Sequence, residues 1–206
     1  MTEQNATGVT MDREYWDGRY RERGQLWSGR PNGVLVEEAS ALPPGRALDV
    51  GCGEGADARW LAQRGWQVTA IDISQVALDR AAAGTGGSAV TFTRLDLAGT
   101  APPGSYQLVS AQYFPLPRQA DHAALHRLLA AVAPGGTLLV AGHDLADLPA
   151  QHHGGPDPAD FYRPDEIAAV LDGDWTVLVD EIRPRVSAAP PGTAHVRDAV
   201  LVARRR

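Results

Sequence analysis

LDVGCGEGADARWLAQRGWQVTAIDIS, residues 48–74, decides the fold. A short apolar strand, Ala47 to Val50, runs into Gly51-Cys52-Gly53-Glu54-Gly55, a turn in which three residues lack side chains. Glycine permits a positive φ and lets a ligand approach the backbone closely. Residues 56–64 then read as a helix stopped by Gly65, and Val68 to Ile71 as a second strand ending at Asp72. Strand, glycine turn, helix and strand make a βαβ unit, whose ligands lie at the carboxyl ends of the strands where the strand order reverses.

Working outward, the alternation continues. Ser74 is a candidate N-cap for a helix over 75–83, and Val90 to Thr93 is a third strand. Only LDLAGTAPPGS separates it from a fourth strand, Gln107 to Ala111, which leaves room for a single turn and not a crossover helix. A helix over 120–132 follows, and Pro134-Gly135-Gly136 turns the chain into a fifth strand, Thr137 to Ala141. Pro164 opens a helix to Leu171. Trp175 to Ile182 and His195 to Val202 are joined by a Pro- and Gly-containing loop and predict an antiparallel hairpin. Upstream, 11–23 reads as a helix with Tyr15, Trp16 and Tyr20 on one face, and Gly33 to Leu42 as a second helix capped by Asn32. The whole predicts one α/β domain: residues 1–44 a helical cap, and 45–206 a Rossmann-like core with a seven-stranded, mostly parallel sheet covered on both faces.

Composition narrows the function. The chain has 206 residues, 44% hydrophobic and 21% charged, enough for a core without metals or disulfides. No apolar run approaches a membrane span, and the first residues have no basic or apolar leader pattern. Cys52 is the one cysteine, which excludes an internal disulfide and fits a reducing, cytoplasmic setting. A net charge of −6 and 6% aromatics argue against a nucleic-acid partner, so a small molecule is expected, with the protein a monomer or homodimer.

The spacing of the turn fits two cofactors. Gly51-x-Gly53-x-x-Ala56 satisfies the dinucleotide fingerprint, with Asp72 where that fingerprint places its ribose-binding acid. Three observations favour a different adenosine. Asp49 stands two residues before the first glycine, where a carboxylate caps the turn or meets an amino-acid ammonium. Asp96 follows the third strand, placed to accept from an adenine amino group. And the length leaves little room for the substrate domain of a dehydrogenase.

Residues 48–74, together with Asp96 and APGGTLLV at 133–140, resemble the S-adenosylmethionine (SAM) binding core of class I methyltransferases. YWDGRYRER, LWSGRPN and the closing HVRDAVLVARRR are similar to the small tellurite-resistance-type and thiopurine-type members. The resemblance implies that Gly51, Gly53 and Gly55 line the methionine half of SAM with Asp49 beneath it. It implies that Asp72 holds the ribose, Ile73 packs on the adenine, and Asp96 and the Leu97 amide read the adenine edge. Gln112 would sit between methionine and acceptor, Trp27 would roof the cofactor, and Arg19 would reach its carboxylate. The implied product is S-adenosylhomocysteine (SAH).

Acceptor-side candidates sit on segments beyond the sheet's carboxyl end: Tyr113, Phe114 and Leu116, then His143 and Asp144, then His195 and Arg197, two apart and so on one face of a strand. His195 has an unperturbed pKa that suits proton transfer, whereas Arg197 stays charged and suits an anionic acceptor. His152-His153 reads as a lid or a metal-binding pair, but adjacent histidines seldom ligate one ion, so no metal is assigned. The leading function is methyl transfer to a small molecule, a thiol or other chalcogen, or a natural-product oxygen or nitrogen. The alternatives are a catalytically silent SAM-binding regulator and a nicotinamide-dependent oxidoreductase.

Overall fold

The structure, a computed structural model, describes residues 10–84, 89–147, 156–186 and 195–206. The His152-His153 pair lies outside the described residues. Seven strands form one sheet in the order β3-β2-β1-β4-β5-β7-β6. They are β1 (Arg46–Val50), β2 (Gln67–Asp72), β3 (Val90–Arg94), β4 (Tyr106–Gln112), β5 (Val132–His143), β6 (Trp175–Pro184) and β7 (Arg197–Arg205). β7 runs antiparallel to both β5 and β6, and the other pairings are parallel. Among the described residues no helix is long and apolar enough to cross a membrane.

The period of two along each strand divides the core. Leu48 and Val50 face Val109, Leu128, Leu138 and Ile167, beneath α5 (Ala123–Ala130) and α6 (Pro164–Val170). Ala47 faces the opposite way, with Leu108, Leu139 and Val202, under α2 (Gly33–Ala39), α3 (Ala56–Gln63) and α4 (Gln75–Ala83). β1 lies between β2 and β4, with Val50 opposite both Ile71 and Ala111, so strand order reverses beside β1. That reversal opens the cleft.

Several sequence expectations shift. Pro134-Gly135-Gly136 does not precede β5 but lies within it as a bulge, where the register with β4 slips between Tyr106 and Leu108. The Tyr106 carbonyl passes so near Gly136 that a Cβ there would lie 2.8 Å from it. α5 starts at Ala123 because His122 holds a left-handed φ of 53° that no helix continues. Asn32 caps α2 without a side-chain bond to that helix; its amides donate instead to Asp57 on α3, at 2.7 and 2.8 Å. β7 begins at Arg197, so His195 precedes the strand. Ser74 caps α4 as expected, and residues 97–99 make the single turn between β3 and β4.

The N-terminal segment is bound to the core by polar contacts. In α1 (Arg13–Glu22) the buried Asp17 accepts from Ser74 Oγ at 2.6 Å and from the Val76 amide at 3.3 Å. Glu54, inside the glycine turn, accepts from the Leu26 and Trp27 amides and pairs with Arg80 at 3.0 Å. Arg80 also donates to the carbonyls of Tyr20 and Arg23.

Gly136→Val tests the bulge. Its side chain meets the Tyr106 and Ala133 carbonyls at under 3 Å, and such backbone overlap costs about 1–3 kcal/mol. Urea unfolding is expected to show a lower midpoint, and an unchanged midpoint contradicts the close approach.

Candidate active site

At the carboxyl edge of β1 the three glycines take φ values of 69° (Gly51), 52° (Gly53) and 77° (Gly55), which L side chains avoid. Each is also pressed by a neighbour: a Cβ would lie 2.5 Å from Phe114 Cδ2 at Gly51, 2.9 Å from the Tyr20 hydroxyl at Gly53, and 2.9 Å from Ala81 Cβ at Gly55. Only Gly51 of the three lines the cleft, a space of about 480 Å³ shared with Trp16, Asp72, Ile73, Asp96, Leu97 and Phe114. Five expected cofactor residues, Gly51, Asp72, Ile73, Asp96 and Leu97, therefore meet on one wall.

Asp72 ends β2 with both oxygens engaged: Oδ2 accepts from the Gly53 amide at 2.9 Å and Oδ1 from the Ser74 amide at 2.8 Å. A carboxylate has about four lone-pair sites, so these bonds leave it able to accept from a ligand hydroxyl. Burial raises its pKa above the ordinary carboxylate value, while the amide donors of Ser74, Gly53 and Ile73 pull it back. Asp96 is exposed and accepts from the Ala98 amide at 2.8 Å.

Behind the turn lies a second layer of acid. Asp49 is 2% exposed, and burial together with the charges of Asp57 and Asp72 raises its pKa well above the usual range. Among the described residues its Oδ2 has no hydrogen-bond partner, and neither has Oε1 of Gln112, which is 8% exposed with its amide donating to Ser110 Oγ. Two orphaned acceptors on neighbouring strands suit a cationic donor such as an ammonium. Trp27 donates through Nε1 to the Tyr20 hydroxyl at 2.9 Å and packs against Gly53, but it is 51% exposed and does not line the cleft. Arg19 is exposed and turned to its own helix, with Nη1 3.0 Å from the Tyr15 hydroxyl; the structure does not bring it to the cleft.

The acceptor-side candidates separate into two groups. Tyr113 follows β4 with a left-handed φ of 53°, a strained backbone of the kind found at functional sites. Burial, then the charge of Asp198 on β7, raises the tyrosine's pKa. The ring lies 4.6 Å from that of His143, which stacks on His195 at 3.9 Å. Burial, then the neighbouring His195 and Arg185, push His143 down to about 4, so the ring is neutral at physiological pH. Arg197 goes elsewhere: its guanidinium meets Asp147 at 2.7 Å and Asp144 at 3.0 Å, fastening the turn after β5. His195 precedes β7 and stacks on His143, whereas Arg197, the first residue of β7, is held by two carboxylates in residues 144–147. Sequence reasoning missed Arg185 and Asp198, which join Tyr113 and His143 only through the β5-β7-β6 pairing.

A Rossmann-like sheet with a glycine turn, an acid ending β2 and an acid after β3 is the arrangement of the class I SAM-dependent methyltransferases, which the core of this chain resembles. Residues 47–136 match the methyltransferase domain family. The chain is 37% identical over 127 residues to trans-aconitate 2-methyltransferase of Rhizobium meliloti, covering 58% of this chain and 47% of that protein. It is 31% identical over 156 residues to 2-heptyl-1-hydroxyquinolin-4(1H)-one methyltransferase of Mycobacteroides abscessus, 73% of this chain and 65% of that one. This chain spans about half the length of the first of these relatives. The fold is that of the N-methyltransferase NodS from Bradyrhizobium japonicum, solved with SAH: TM-score 0.70, 16% identity, 94% of this chain and 97% of that one.

Asp72→Ala is expected to weaken SAH binding in calorimetry by about 1.5–3 kcal/mol for each charge-assisted hydrogen bond lost. Unchanged affinity would remove Asp72 from the site. Circular dichroism checks that the turn, which loses its Gly53 anchor, still folds.

Proposed function

We propose that this protein is an enzyme that transfers the methyl group of SAM to a small organic acceptor by in-line displacement. The observation that carries the reading is the meeting of Gly51, Asp72, Ile73, Asp96 and Leu97 around one cleft, with Asp49 and Gln112 holding unmatched acceptors behind it. These groups fit the cofactor's parts. Asp72 has lone pairs for the ribose hydroxyls, Ile73 an apolar face for adenine, Asp96 and the Leu97 amide an acceptor and a donor for its edge. Asp49 and Gln112 answer the methionine ammonium. Bound SAM supplies an electrophilic methyl group on a sulfonium.

The chain's own task is then alignment and exclusion of water, and positioning alone contributes about 7–11 kcal/mol to such reactions. Phe114, seated on Gly51, and Tyr113 beside it form the wall facing the acceptor. Tyr20 and Trp27 close the outer side of the turn. Both relatives named above are methyltransferases of small molecules by name, which supports an acceptor of that size.

Calorimetry with SAM, SAH and NAD tests the cofactor: binding of the first two and none of NAD is expected, and the reverse selects an oxidoreductase. Mass spectrometry of SAH released with a panel of acids, thiols, phenols and amines then tests catalysis. Tight SAM binding with no turnover of any acceptor would mark a silent binder.

A further inference from the structure

Three arginines reach this end of the sheet from the β6–β7 hairpin, and their surroundings differ. Arg183 meets Glu37, Glu38 and Glu181 at 3.1, 2.7 and 3.2 Å. Arg197 meets Asp144 and Asp147 at 3.0 and 2.7 Å. Arg185 meets one carboxylate, Asp198, at 3.7 Å, beyond hydrogen-bond reach. A guanidinium has five N–H donors. Among the described residues Arg185 Nε, shut away from solvent, has no acceptor. Arg183 Nε shares that condition, but three carboxylates answer its charge. Arg185 alone of the three is under-compensated.

Its other neighbour fixes a second donor. Arg185 Nη1 lies 3.3 Å from His143 Nδ1. A guanidinium can only donate, so Nδ1 is the acceptor, and the neutral ring carries its hydrogen on Nε2. Desolvation, His195 and Arg185 keep the ring neutral, against a weaker opposing pull from Asp147. His143 is therefore a donor and not a base. The guanidinium also lies 5.0 Å from the Tyr113 ring centre, which holds the group over the wall of the acceptor side. β5 is two strands from β1, about 10 Å at ordinary strand spacing, and a small organic acid spans that gap.

We propose that Arg185 and the Nε2–H of His143 form an anion subsite at the acceptor end, taking a carboxylate of a small organic acid. The proposal rests on the methyl-transfer reading above. A planar guanidinium matches a carboxylate through two parallel N–H bonds. Asp198 already stands 3.7 Å from the guanidinium and Asp147 acts electrostatically on His143, so the second negative charge of a phosphate would be repelled.

The test is NMR on the whole protein saturated with SAH, following the Arg185 Nε–H and the His143 ring nitrogens. The probes are trans-aconitate, its neutral trimethyl ester and inorganic phosphate. We expect trans-aconitate to shift both signals saturably, Arg185→Met to weaken it at least tenfold, and Arg185→Lys to fall between. His143→Gln, which keeps an N–H, should bind nearly as wild type, and His143→Leu several-fold worse. SAH affinity should be the same in all four variants. Equal binding of the triacid and its ester, or wild-type affinity in Arg185→Met, overturns the proposal, and tighter binding of phosphate overturns the carboxylate. Failure of SAH to bind the wild type sinks the methyl-transfer reading instead, and the same anion titration run without SAH still decides the subsite.

Discussion

The Gly53 amide donates to Asp72 Oδ2, and this one bond ties the end of β2 to the turn at the end of β1. Much else hangs from it. The second oxygen of Asp72 holds the Ser74 amide, and the Ser74 hydroxyl reaches Asp17 on α1. Glu54, the residue after Gly53, holds the Leu26 and Trp27 amides and the Arg80 guanidinium. The glycine turn, the cleft wall and the N-terminal segment are one hydrogen-bonded assembly, in which the backbone conformation of three glycines is fixed from both sides.

That assembly concentrates negative charge. Asp49, Asp57 and Asp72 all have pKa values raised by burial, and Asp49 rises further through the other two. Buried carboxylates without cations are expensive to hold. The arginines of this region are engaged elsewhere, Arg80 with Glu54, Arg183 with the α2 glutamates and Arg197 with Asp144 and Asp147. In the proposed reaction the relief comes from the cofactor, whose sulfonium and ammonium are cations. Transfer of the methyl group turns the sulfonium into a neutral thioether, so the attraction weakens once the reaction is complete.

The βαβ unit and the succession of strands along the chain were legible because they depend on local signals: an apolar run, three glycines, an acid ending β2 and another after β3, and a serine cap. The same signals located Asp72 and Asp96. What the sequence concealed depends on pairings remote along the chain. Arg197 looked free until Asp144 and Asp147 were seen beside it, and Arg185 carried no motif at all. Pro134-Gly135-Gly136 carries the composition of a turn, yet the pairing with β4 keeps it within a strand and converts it into a bulge. His122 delays the start of the expected helix through a left-handed conformation that composition does not announce.

The placement of β7 between β5 and β6 has a consequence for how the chain reaches this state. β6 is made before β7 but has no edge to join until β7 has paired with β5. The sheet is therefore completed from the inside by its final strand in chain order. Pairings of such long sequence separation are slow to form, since loop closure precedes their reward. During vectorial synthesis the edge of β5 stays open while β6 waits, and Val177, Leu178 and Ile182 remain without a sheet to belong to. The nascent chain is most exposed to mispairing in that interval, between the emergence of one strand and the arrival of the next.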